Sequence, residues 1–147
     1  MEELSFKEIL RSKEEKHILT GKISGIEDEY YKYKNENIPC AIIWYGETKV
    51  LIPASHLGPL KINKSMIRGM LGAEIDFIVL DVDLNSNIAI ASRIDAMNLR
   101  AQLELPKLKK NDTVKVRILA VGVKHIIVEL YGKEVSIKAE NLLHTYI

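Results

Sequence analysis

The sequence predicts an all-β fold: a five-stranded antiparallel Greek-key barrel with a short N-terminal helix and a linker helix, followed by a partial second unit. Three observations carry that prediction. Short strand-like apolar runs, separated by turn residues, fill residues 17–92. One irregular, basic stretch interrupts them after the third run. A later segment, "LYGKEVSIKAENLL", repeats "WYGETKVLIPASHL" with one gap.

The elements follow in order. Ser5-Phe6-Lys7-Glu8 reads as a capping box, with Leu4 and Ile9 as its hydrophobic staple, so a helix is expected over about Phe6 to Lys16. "HILTGKISGIE" is the first strand, "DEYYKYKNEN" a connecting loop and "IPCAIIWY" the second strand. Gly46-Glu47-Thr48 turns the chain into the third strand, "KVLIPA". Pro53 ends that strand, where a missing ladder N–H does least harm. "SHLGPLKINKSMIRGMLG" is an irregular excursion with a helical turn around Ser65 to Met70. "AEIDFIVLDVD" and "NIAIAS" give the fourth and fifth strands around the turn Leu84-Asn85-Ser86. Ser92 then caps a helix to about Leu103, which Pro106 ends.

Five short strands with one helical excursion suit a closed barrel of the OB type, which removes exposed sheet edges. The expected organisation is an N-terminal helix at 1–16, an OB barrel at 17–92, a linker helix at 93–107 and an incomplete second unit at 108–147. That second unit has three expected strands. Its open edges imply either a longer natural chain or packing of the fragment on the first barrel.

Composition narrows the function. With 147 residues, 47% hydrophobic and 28% charged, the chain is globular rather than disordered. No apolar run reaches membrane-spanning length, and "MEELSFKEILRSKEEK" is too charged for a signal peptide. The single cysteine, Cys40, rules out an internal disulfide, fits a reducing cytoplasm and reads as a buried, inert thiol. His17, His56, His125 and His144 are scattered and make no metal spacing with Cys40. There is no Gly-rich phosphate loop and no nucleophile motif. The expectation is therefore a non-enzymatic cytoplasmic protein without a cofactor, a metal or a membrane partner.

Net charge is only +1, yet Lys61, Lys64 and Arg68 lie together without an acid, and a second basic run spans Arg93 to Arg117. Such runs are either solvated faces or phosphate contacts.

At this level the order of motifs resembles the S-one domain, the RNA-binding repeat of the largest small-subunit ribosomal protein. "LIPASHL" is similar to that family's third-strand motif, "GAEIDFIVLDVD" to its glycine-acid-strand segment, and "IAIASR" to its closing strand. The likeness covers about His17 to Met97, with Asn111 to Leu143 as a partial copy. It implies an OB-fold that binds single-stranded RNA with little sequence preference across its second and third strands, where bases stack on rings and cations follow the backbone. Where many members carry a base-contacting His the chain has Pro53, and small or aliphatic residues, Ala41 to Ile43, stand near the family's two phenylalanines. Asp83, Ser55 and Arg93 match the pattern, and Asn87 replaces a basic residue.

The expected nucleic-acid-binding set is therefore Trp44 or Tyr45 for stacking, with Tyr31 and Tyr33 of the loop as helpers. Lys49, Lys61, Lys64, Arg68 and Arg93 are the expected phosphate contacts, with His56 and Asp83 at the strand ends. Only one of Trp44 and Tyr45 can face outward, because strand side chains alternate. The partner expected is single-stranded RNA, with the ribosome or another protein as further candidates. The alternative is a structural or protein-interaction barrel that has lost nucleic-acid binding.

Overall fold

The computed structural model describes residues 2–31, 36–58, 62–121 and 125–138. In chain order the elements are α1 (Glu2–Glu15), β1 (Leu19–Lys22), β2 (Gly25–Tyr31), β3 (Glu36–Tyr45), β4 (Thr48–Pro53), α2 (Ala54–Leu57), α3 (Lys64–Arg68), β5 (Glu74–Asp83), β6 (Ile88–Ser92), α4 (Arg93–Glu104), β7 (Arg117–Val121), β8 (His125–Leu130) and β9 (Lys133–Lys138).

The first six strands form one sheet in the order β1-β5-β6-β4-β3-β2. Its two edge strands, β1 and β2, are consecutive in the chain and separated only by Ile23 and Ser24. A two-residue link cannot span an open six-stranded sheet, so the sheet curls, as in the β-barrel class. At the break, Ile23 N–H donates to Ala73 O at 3.0 Å and Ser24 N–H to Ile42 O at 2.8 Å, so the chain leaves one partner strand and joins the other. Inside the curl Phe77, Ile43, Val50, Ile52 and Ile75 are fully buried.

Three expectations for this region change. The first strand is two strands, and β2 continues to Tyr31 through the segment read as loop, paired residue by residue with β3. The sheet is not wholly antiparallel, since β4 runs parallel to β6, with Lys49 opposite Ile88 and Leu51 opposite Ile90. That pairing follows from the excursion and β5 together, which return the chain to the start of β4. Finally, α1 begins at Glu2, so Ser5 lies inside the helix rather than at its N-cap. Ser5 instead packs against the β3–β4 turn, where a Cβ on Gly46 would come within 2.8 Å of its Cβ.

The expected turns and caps are otherwise present. Gly46 takes φ +63° in the turn, and Ser92 Oγ accepts from Asp95 N–H at 3.0 Å to cap α4.

β7, β8 and β9 make the expected three-stranded antiparallel sheet, and it packs on the first. Buried charge joins them. Arg93, fully buried at the start of α4, donates from Nη2 to Glu129 at 2.6 Å and from Nη1 to Glu134 at 2.5 Å. Its Nη1 also donates to the carbonyl of Leu57 at 2.8 Å. Beside it, Arg117 Nη1 of β7 lies 2.9 Å from Asp76 of β5, which also receives Thr20 Oγ1–H at 2.7 Å and faces Arg100 at 3.2 Å. Burial alone would raise the Asp76 carboxyl, but hydrogen bonds from Arg117 and Thr20 and the charges of Arg117 and Arg100 outweigh it and hold the group below the usual carboxylate range. The β8–β9 turn adds a backbone contact, because a Cβ on Gly132 would sit 2.0 Å from Met97 O.

Removing one partner of a buried pair leaves the other charged and desolvated. Arg93→Ala is therefore expected to destabilise the protein by about 3–5 kcal/mol, read as a lowered midpoint in urea unfolding. An unchanged midpoint would show that Glu129 and Glu134 do not need the guanidinium.

Candidate nucleic-acid interface

The outer wall of the curled sheet follows from register. Trp44 is opposite Lys49, Lys49 opposite Ile88, and Ile88 opposite Asp83, so these four form one row across β3, β4, β6 and β5. The next row is Ile42, Leu51, Ile90 and Asp81. Alternation sends their neighbours Ile43, Tyr45, Val50 and Ala89 into the core.

Trp44 is the outward aromatic, 57% exposed. Tyr45 points inward, packing edge-on against Phe77 with ring centroids 6.0 Å apart and its hydroxyl on the Glu8 carboxylate of α1. Tyr45 therefore packs in the core and anchors α1, and of the two aromatics expected to stack only Trp44 faces outward.

The cations are placed less simply. Lys49, beside Trp44, is tied to Glu27 of β2, and Lys64 on α3 meets Asp28 at 3.1 Å. Arg68 is exposed in the last turn of α3. Arg93 does not reach the wall at all, being buried between two carboxylates, because the capped start of α4 points it at β8 and β9. His56 sits half-buried on the single turn of α2.

Asp83 closes the β5–β6 turn, accepting Asn85 N–H at 3.0 Å. Hydrogen bonds from the Ser86 hydroxyl and the Asn85 N–H, with a lesser one from the Ser86 N–H, outweigh desolvation and hold its carboxyl below the ordinary range. Asp83 is thus a turn-former at the end of the Trp44 row. Asn87 takes φ +57° and ties two turns together: its Nδ2 donates to Glu47 O at 3.0 Å and its Oδ1 accepts from Thr48 at 3.2 Å. Lys61 and Tyr33 lie outside the described residues, as does the Tyr31 side chain.

Sequence reasoning missed the wall's acids and aliphatics. Glu27 ends the expected first strand and Asp28 opens the expected loop, whereas both lie on β2, Glu27 opposite Cys40 on the outward parity of Trp44 and Asp28 opposite Pro39 on the other. Leu51, Cys40 and Pro53 share the outward parity of Trp44 yet are buried, so the wall grades from an exposed ring at one end to a covered apolar patch at the other. Among the described residues no group of three or more His, Cys, Asp or Glu is placed to hold a metal ion, and no helix is long and apolar enough to cross a membrane.

Burial first, then the hydrogen bond to Glu8 and the Glu8 charge, push the Tyr45 phenol up from 10.0 to about 12. A folded-state value above the unfolded one means that this contribution to stability is complete below pH 10 and is lost as pH climbs towards 12. Tyr45→Phe is expected to flatten the fall in stability across that window, measured by urea unfolding at stepped alkaline pH. Parallel pH curves for the two proteins would refute the assignment.

Compared with models of known protein families and with curated proteins, the sequence matches none. The functional reading therefore rests on the residues of this wall.

Proposed function

We propose that the chain is a non-enzymatic RNA-binding module of the S-one type, with the curled sheet as its OB barrel and Trp44 as the stacking platform. In this reading β1 and β2 are one strand broken at Ile23–Ser24, which reduces the six strands to five and closes the Greek key. The parallel β4–β6 pair is then the crossover that such a barrel contains.

The single observation that carries the reading is the exposed Trp44 ring beside Lys49 on the outer face of β3 and β4. A solvent-facing indole on a sheet wall is a platform for an unstacked base, whatever its identity. Arg68 and the Lys49 and Lys64 ammonium groups border the path. Low net charge and the acids of β2 make the expected affinity modest, and the cation–phosphate contacts make it fall as salt rises.

A second reading, a protein-docking barrel, is favoured by one specific feature. Two of the expected phosphate contacts, Lys49 and Lys64, already have carboxylate partners within the chain, and a third, Arg93, is buried.

Trp44 is the only tryptophan, so its emission reports on the wall without ambiguity. Titration with labelled single-stranded RNA at two salt concentrations is expected to quench Trp44 and raise the RNA anisotropy, both weakening steeply with salt. Trp44→Ala should weaken binding by about 5- to 150-fold, the equivalent of roughly 1–3 kcal/mol for one stacked base. No anisotropy change at low salt with saturating protein would remove the RNA reading and leave protein docking.

A further inference from the structure

The arginines of the second basic run are all paired within the chain. Arg93 meets Glu129 and Glu134, Arg100 meets Asp76, and Arg117 meets Asp76 with Glu129 and Glu74 further off. Lys115 is different. It lines a cleft of about 440 Å³ between α4 and the second sheet, a volume within the range of small-molecule sites. The buried carboxylates of that cleft, Asp76 and Glu129, already face Arg100 and Arg117. Two lining groups of opposite sign remain: exposed Lys115 and half-buried Glu104 make no ion pair among the described residues.

The same cleft holds an aromatic ring in a strained place. Leu130 pairs with Lys133, so Tyr131 and Gly132 are the two turn residues of the β8–β9 hairpin, at φ +43° and +85°. A two-residue turn with both φ values positive favours Asn, Asp or Gly at its first position. The first hairpin meets that demand with Gly46 at φ +63°, and keeps Tyr45 in the strand. The second puts a tyrosine there. Gly132 beside it is pressed against Met97 O of α4, which fixes the turn where it is. Backbone outliers of this kind cluster where a side chain is held for binding. Tyr131 lines the cleft together with Val116, so a ring and an aliphatic group accompany the two unpaired charges.

We propose that this cleft binds a free α-amino acid with an aromatic side chain. Its carboxylate meets Lys115, its ammonium meets Glu104, and its ring packs against Tyr131 and Val116. Charge complementarity selects that class of ligand. Arg100, Lys115 and Arg117 balance Asp76, Glu104 and Glu129, so the cleft is neutral overall and suits a ligand that is neutral overall. A simple anion would answer Lys115 and leave Glu104 facing it, and a simple cation would do the reverse. A zwitterion answers both. The aromatic side chain follows from Tyr131, because two rings in an offset or edge-on arrangement gain more than their buried area alone. No residue of the Trp44 row lines this cleft, so the proposal does not rest on RNA binding.

NMR titration of the isotope-labelled full chain with L-phenylalanine to about 10 mM tests this. The expected result is saturable shifts at Tyr131, Lys115 and Glu104, with Trp44 unmoved. Phenylpropionate, which lacks the ammonium, and phenethylamine, which lacks the carboxylate, should each bind at least about tenfold more weakly. Glu104→Gln should abolish the advantage over phenylpropionate, and Lys115→Met the advantage over phenethylamine. Lys115 is exposed, so its replacement leaves the fold undisturbed. Tyr131→Asn should weaken binding by about fivefold or more, with a thermal midpoint that stays the same or rises because asparagine suits the turn. The proposal is overturned by the absence of saturable shifts at the highest concentration or by shifts centred on Trp44. Equal binding of either truncated ligand overturns it too, as does binding that survives Lys115→Met or Tyr131→Asn unchanged.

Discussion

One run of thirteen residues, Leu19 to Tyr31, serves both edges of the main sheet, and most of the architecture follows from that constraint. Its first half pairs with β5 and its second with β3, so the sheet has to curl between them. Curling defines an inside and an outside, and alternation then assigns every strand residue to one of them. Gly21 shows how tight the curl is, since a Cβ there would come within 2.5 Å of the Ile43 side chain. The exposed ring of Trp44 and the buried ring of Tyr45 are consequences of this one closure. So is the anchoring of α1, whose Glu8 meets the Tyr45 hydroxyl and whose Ser12 accepts Val79 N–H at 2.9 Å.

Charge in this chain is used mainly to join elements. Arg93 opens a helix, where a cation opposes the macrodipole, and it is tolerated because Glu129 and Glu134 surround it. Arg117 and Arg100 converge on Asp76 in the same region. Desolvated pairs of this kind contribute little net stability but strongly penalise any arrangement that separates them. They therefore fix where the second sheet sits more than they stabilise it. The Lys49–Glu27 pair on the wall and the Lys64–Asp28 pair between α3 and β2 are part-exposed and correspondingly weak.

The repeat had two meanings, and only one was visible in the residues. Its match in sequence reflects a shared hairpin with glycine at positive φ, Gly46 in one copy and Gly132 in the other. What differs is the surroundings. The first hairpin is enclosed by later strands, whereas the second packs on the first unit through Ile127 and the carboxylates of Glu129 and Glu134. Placement of Gly132 against the α4 backbone makes that orientation specific, because a side chain there would collide with Met97 O.

The amino-acid sequence specifies the elements whose signals are local. The third strand stopping at Pro53, the Gly46 turn, the Ser92 cap, the α3 turn and the two hairpins depend on neighbouring residues alone. It also narrowed the outward aromatic to one of two, because alternation is a property of any strand. Which one it is, and the pairing of Lys49 with Glu27 of β2, emerged in the folded structure. It alone showed that β4 and β6 run parallel and that Arg93 is interior. Each of these depends on residues distant in the chain, and pairing across that distance is set by how the sheet closes, which no local pattern encodes. The capping box at Ser5 failed for the same reason: a serine three residues before a glutamate is a cap only where nothing upstream extends the helix, and here the turn at Gly46 packs against Ser5 and α1 runs back to Glu2.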